Sequence, residues 1–246
     1  MTGRAPGLLG LGLLAVLLVG CTAVPEADPT PTARAVSSDE AQLLAIARFT
    51  NYDRGTRPFS TELAVSGVDT RVVGWVDYDS AVGYASVTGS FGAEALLWTD
   101  AAVGAIPRDP EADGYPALPI PAADDPGWQI QELDPTVSAF HALLAAISAL
   151  GQDRPDNPLL LQQSGALWLR DDEVDGTPVT VFAAPPSDAP LETGSSDVAT
   201  SDSPLRIWVA ADGLMLRAEF HLDDGWVGVD FPDAEAPSLA LPGAGG

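Results

Sequence analysis

Between Thr70 and Thr99 the chain carries three short apolar, β-branched segments separated by very brief connectors. TRVVGWVDY, VGYASVTG and AEALLWT are joined by Asp79-Ser80-Ala81 and Ser90-Phe91-Gly92. Gaps of that size hold no crossover helix, so adjacent strands must run antiparallel. Glu62 to Gly67 and Val103 to Ile106 extend the series on either side. Several of these strands carry apolar residues at both parities, as in Val72 and Val76 against Val73 and Trp75. A sheet with one wet face would alternate, so this one is expected to be covered on both faces. Gly74, Gly83 and Ala85 lack bulk and permit curvature.

A second strand region occupies the C-terminal part: Ala166 to Arg170, Pro178 to Ala183, Leu205 to Ala211, Leu214 to Leu222 and Trp226 to Phe231. Asp-Gly pairs at 175-176, 212-213 and 224-225 mark hairpin tips, where positive φ is needed. Leu214, Leu216, Ala218, Phe220 and Leu222 alternate with polar or longer residues, which predicts one apolar and one wet face.

Helical segments lie between these regions. Ser37 with Glu40 three residues on has the capping-box form and opens a helix over 38–51. Asp134-Pro135 predicts a second start, with Val137, Phe140, Leu143, Leu144, Ile147 and Leu150 as its stripe and Gly151 as its stop. Leu159 to Gln163 predicts a third, short helix. Residues 107–127, with six prolines, form a long connector, and 184–204 form a Pro/Ser/Asp-rich solvated insert. Segregated helices and strands place the chain in the α+β class.

The N-terminus is of another kind. Gly7 to Gly20 is a run of 14 residues, nearly all Leu, Val, Ala and Gly, behind Arg4. A bilayer-spanning helix needs about 20, so the run predicts a cleaved signal peptide over residues 1–20. It ends in Leu18-Val19-Gly20-Cys21, which resembles a bacterial lipobox. That resemblance implies cleavage before Cys21 and a diacylglycerol on its thiol. Two or three acyl chains anchor stably at about 0.8 kcal/mol per buried methylene. The expected location is the extracytoplasmic face of the cell membrane. Residues 21–36 are the Pro/Thr-rich tether, 37–232 a single domain and 233–246 a flexible tail.

Composition narrows the chemistry. Cys21 is the only cysteine, which excludes an intramolecular disulfide and a cysteine metal site. All 11 basic residues are Arg, so lysine chemistry is excluded too. With abundant Ala, Gly, Pro, Val and Asp, this is the pattern of a high-GC, actinobacterial genome. A net charge of −24 repels nucleic-acid phosphates and anionic headgroups, so nucleic acid is not an expected partner. His141 and His221 stand in no metal-ligand spacing, and no G-x-S-x-G elbow occurs. Asp171-Asp172-Glu173 with Asp175-Gly176 lacks the ligand alternation of a calcium loop. Trp75, Trp98, Trp168, Trp208 and Trp226 are spread over strands and read as sheet packing rather than a sugar platform. No enzyme, metal or cofactor is expected.

The order of elements, with the lipobox, resembles actinobacterial lipoproteins of the LppX/LprG type, within the wider LolA-like fold. The helix at 38–51, Gly74 to Gly89 and Leu205 to Leu222 carry the resemblance. It implies a strongly curved antiparallel half-barrel with two or three helices on one face. It also implies an apolar pocket for a lipid or lipoconjugate. Candidate lining residues are Phe140, Leu143, Leu144, Ile147, Leu214, Leu216 and Phe220. The alternative is a lipoprotein with a fully packed sheet that binds another envelope protein. A divergent hydrolase is a third reading.

Overall fold

The computed structural model describes residues 32–65, 67–186, 203–222 and 225–239. Cys21, the lipobox and most of the tether, most of the 184–204 insert, and Asp224 of the third Asp-Gly pair lie outside them.

Twelve strands form among the described residues: β1 (Arg34–Ala35), β2 (Thr56–Val65), β3 (Val68–Asp77), β4 (Val82–Gly89), β5 (Gly92–Trp98), β6 (Ala102–Pro107), β7 (Gln129–Glu132), β8 (Leu167–Val174), β9 (Thr177–Ala183), β10 (Leu205–Ala210), β11 (Met215–Leu222) and β12 (Gly225–Asp230). They make one antiparallel sheet in the order β1-β8-β9-β10-β11-β12-β2-β3-β4-β5-β6-β7. Two meanders therefore meet at β12 and β2. The seam is thin: only Val229↔Thr61 and Asp230↔Ser60 pair across it, with Thr61 Oγ1 donating to Gly228 O at 2.7 Å.

Three helices accompany the sheet: α1 (Ser38–Asp53), α2 (Ala139–Ser148) and α3 (Pro158–Gln163). α1 starts on the expected capping box, with Glu40 N donating to Ser37 Oγ at 3.3 Å and Ser37 N to Glu40 Oε2 at 2.8 Å. α2 begins later than Asp134-Pro135. The Asp134 carboxylate instead accepts from Thr136 N and Oγ1 at 2.9 and 2.7 Å, closing a turn, and Ser138 is the N-cap. A short polar side chain caps whichever nearby donor it reaches first, and here that donor belongs to a turn.

The expected α+β half-barrel with helices layered on one face is corrected by this architecture. The sheet is open, with β1 and β7 as free ends, and it does not close into a barrel. The helices have 16, 10 and 6 residues. At about 1.5 Å per residue, α2 is about 15 Å long, against about 50 Å of sheet width for twelve strands. Such helices cover a strip, and their packing is concentrated on β10 and β11.

The Asp-Gly turns form in two ways. Asp175 and Gly176 both have positive φ, at 49° and 81°, as a primed hairpin turn requires. At the other tip only Gly213 does, at 88°, while Gly213 N and Ala210 N bond to Ala210 O and Leu214 O, both at 2.9 Å. A register shift follows at Trp208/Val209.

The main core joins both meanders to α1 and α2. Its largest fully buried side chain is Trp98, set edge-on to Phe59 at 6.0 Å, with Nε1 donating to Ser148 Oγ of α2 at 3.0 Å. Gly83 is needed here, because a Cβ at that position would fall inside the Trp98 indole. A second cluster lies on the outer face of the β3–β6 meander, where the 107–128 connector and the C-terminal segment cover Trp75, Tyr84, Ala95 and Ile106. Leu239, in the segment read as tail, and Val36, in the segment read as tether, are both buried.

Candidate functional site

On the helix face, over β10 and β11, the core does not close. A cavity of about 600 Å³ opens there. Ile207, Met215 and Phe220 form its sheet side, and Leu44 of α1 and Leu161 of α3 flank it. α2 turns Ala142, Ala145, Ala146 and Ala149 toward the space. These four positions follow i, i+3, i+4, i+7 spacing, so they share one face of the helix. The opposite face carries Leu143, Leu144 and Ile147, all fully buried. The bulky stripe fills the core, and the alanine stripe leaves volume unfilled.

Two charged side chains border the cavity. Arg48 Nη1 lies 3.6 Å from Asp156 Oδ1, and Arg48 Nε donates to Ala149 O at 3.1 Å. Both side chains are about a third exposed, so the pair contributes at most about 1 kcal/mol to stability. It supplies the polar part of an otherwise aliphatic wall.

A buried polar network fixes the walls relative to the sheet. Asn51 at the end of α1 donates from Nδ2 to Leu150 O at 3.0 Å. Its Oδ1 accepts from Arg57 Nη1 at 2.7 Å. Arg57 Nη2 reaches Met215 O and Phe231 O at 3.2 and 3.4 Å. Burial lowers the Arg57 pKa, yet the guanidinium keeps carbonyl acceptors and the Phe231 ring, 5.3 Å away. The loop after α2 is strapped to α1 by Gln152 N to Arg48 O and Asp156 N to Ala45 O, at 3.2 and 2.8 Å.

No family model matches the chain, and no curated protein matches it. One solved structure shows a weak likeness to it. That structure is described as an outer membrane lipoprotein-sorting protein domain from Vibrio parahaemolyticus. The identity is 8% and the TM-score 0.22, over 73% of this chain and 83% of that one.

The predicted lining residues fall in different places. Phe220 lines the cavity. Leu143, Leu144 and Ile147 lie behind its wall, in the core, with Phe140 half-buried against them. Leu214 is in the turn before β11, and Leu216 packs on the outer face with Val179, Val181 and Trp208. The regular alternation from 214 to 222 puts these residues on one face, but the register shift breaks it. Met215 is fully buried, and the core parity resumes at Ala218, Phe220 and Leu222. Met215, Ile207 and the alanines were not singled out. The alanine spacing was the signal that could have found them.

The histidines have other partners. His141 Nδ1 accepts from Asp134 N at 3.2 Å, and Nε2 lies 3.1 Å from Gln131 Nε2. His221 meets Trp226 edge to face at 5.2 Å. Among the described residues, no group of three His, Cys, Asp or Glu could hold a metal ion. Nor is any helix among them long and apolar enough to cross a membrane.

Proposed function

We propose that this protein is a non-enzymatic lipoprotein of the extracytoplasmic membrane face, anchored through Cys21, that holds a lipid or lipoconjugate chain in the cavity over β10 and β11. The observation that carries this reading is the cavity: apolar on nearly every side, bordered by one ion pair, and within the roughly 300–1,000 Å³ typical of small-molecule sites. Burial supplies the affinity. An acyl chain placing about ten methylenes inside gains about 8 kcal/mol, enough for micromolar binding before ordering costs. Arg48 and Asp156 give a headgroup a place to remain hydrated or to exchange partners. The lipobox supports the location, and the acidic charge makes the covalent chains the means of attachment.

Filling the cavity tests this. Ala146→Leu adds bulk to the helix face that borders the space, while leaving the buried stripe untouched. Native mass spectrometry of the purified chain is expected to show a bound lipid mass that disappears in Ala146→Leu, with the melting temperature nearly unchanged. A chain that never carries or takes up an acyl compound would sink the lipid reading and leave the envelope-partner alternative.

A further inference from the structure

We infer that the segments flanking the cavity form an apolar lip that docks on a lipid bilayer, so that a chain passes between membrane and cavity without crossing water. This rests on the lipid-cavity reading above. Six large apolar side chains are exposed among the described residues: Phe91, Leu118, Ile130, Val137, Leu159 and Leu160. Three of them stand beside the cavity. Leu159 and Leu160, 64% and 60% exposed, immediately precede Leu161, which lines it. Val137, also 64% exposed, is two residues from Pro135, which lines the cavity as well.

The charge distribution selects a bilayer as the occupant. The chain holds 35 acidic and 11 basic residues, yet 135–152 and 157–169 contain no Asp, Glu or Arg. The residues between them include Asp156, paired with Arg48, and Arg154, 4.0 Å from Asp153. An acidic protein is repelled from a membrane surface on most of its sides, and that repulsion acts over about 8 Å at physiological salt. The uncharged segments are where approach meets least opposition. They coincide with the exposed leucines and with the cavity. A protein partner of an acidic chain would more readily be met by charge than by its removal.

The lip is also held firmly. Asn157 Oδ1 accepts from Leu159 N and Leu160 N at 3.0 and 3.4 Å, with Pro158 at the first helical position. Gln162 Nε2 donates to Ser38 Oγ of α1 at 3.2 Å. The two leucines are thus presented on a capped turn rather than on a loose loop.

The lone cysteine provides the test. In the full chain, Cys21→Ala leaves no thiol, so Leu160→Cys or Phe91→Cys can be labelled with an environment-sensitive fluorophore. Excess phosphatidylcholine vesicles are offered to both variants alike, and only the label position differs. Dibrominated phosphatidylcholine is expected to quench the label at 160 several-fold more than the label at 91. Equal quenching at the two positions, or none at either, overturns the lip. Binding of a fluorescent fatty acid separates the two readings. If the chain binds it and Leu159→Asp/Leu160→Asp binds equally but transfers phospholipid between vesicles at least tenfold more slowly, the lip stands. Transfer at an unchanged rate overturns the lip and leaves the cavity. Failure of the unsubstituted chain to bind the fatty acid removes the cavity reading, whatever the label reports.

Discussion

The two meanders solve the same problem in opposite ways. Each has apolar residues on both faces, and each must keep water from both. In the β2–β7 meander the outer face is covered by the chain's own connector. Tyr115 stacks on Trp75 at 4.7 Å, Tyr84 Oη donates to Ala117 O at 2.9 Å, and Ser86 Oγ donates to Gly114 O. In the β8–β12 meander a layer of arginines does that work. Arg206 lies 3.8 Å from the Trp226 ring, and Arg170 and Arg217 sit 5.5 and 5.6 Å from Trp208. Glu219 stands between Arg206 and Arg217, and Trp208 Nε1 donates to Asp172 at 3.0 Å. The helix faces differ in the same sense. Trp98 and Phe59 fill one side, while the alanines of α2 leave the other open. A meander sealed by chain and aromatic bulk has little volume to give. One sealed by flexible cations can border a cavity. The thin β12–β2 seam separates the two regimes.

The contrast is sharpest in the packed half. Trp98→Ala removes the largest fully buried side chain and its bond to Ser148, and is expected to destabilise by about 3–5 kcal/mol in urea unfolding. A loss below about 1 kcal/mol would mean this half is as loosely filled as the other. On the outer faces, Trp75→Ala should lose about 2–3 kcal/mol and expose the 107–128 connector to proteolysis. Arg206→Ala, which removes a cation over a half-exposed ring and one partner of Glu219, should lose about 0.5–1 kcal/mol. Equal effects of these two changes would break the comparison.

The smallest effect lies at the β1 edge and depends on pH. Arg34 donates to both Glu40 oxygens at 2.7 Å, and that hydrogen bonding, helped by Ser37, holds the Glu40 carboxyl down to about 2, from an ordinary 4.5. A depressed carboxyl contributes stability that is fully present above about 4.5 and is lost as pH falls toward 2. Between pH 6 and 8 the contribution should not change. Because Arg34 is half-exposed, its size is under about 1 kcal/mol. Urea midpoints of the unsubstituted chain and Glu40→Gln should differ at pH 6 and converge at low pH. Parallel curves would remove the assignment.

Much of the fold was legible because it is written in local signals. Connector lengths forced antiparallel pairing, the Ser37/Glu40 pair started α1, and Asp175-Gly176 made a hairpin tip. Apolar parity at Val72, Val73 and Trp75 correctly demanded two covers for that meander. What covers it was not legible, since a proline-rich connector has no period to reveal which sheet face it crosses. The half-barrel failed for a related reason: the resemblance named a helix layer, while the helices are too short to make one. Leu214 and Leu216 stand away from the cavity because alternation from Leu214 to Leu222 assumes an unbroken register, and Leu143, Leu144 and Ile147 because the stripe of α2 faces the core.

The sequence alone determined the antiparallel meanders, the capped helix α1, the absence of any second cysteine and the scarcity of positive charge. These follow from nearest neighbours and from composition. Tertiary structure alone decided that the α2 alanines face an opening, that Arg57 lies buried among carbonyls, and that two uncharged segments meet at one cavity. Each depends on residues far apart in the chain, and a space between elements is a property of their packing rather than of any one segment.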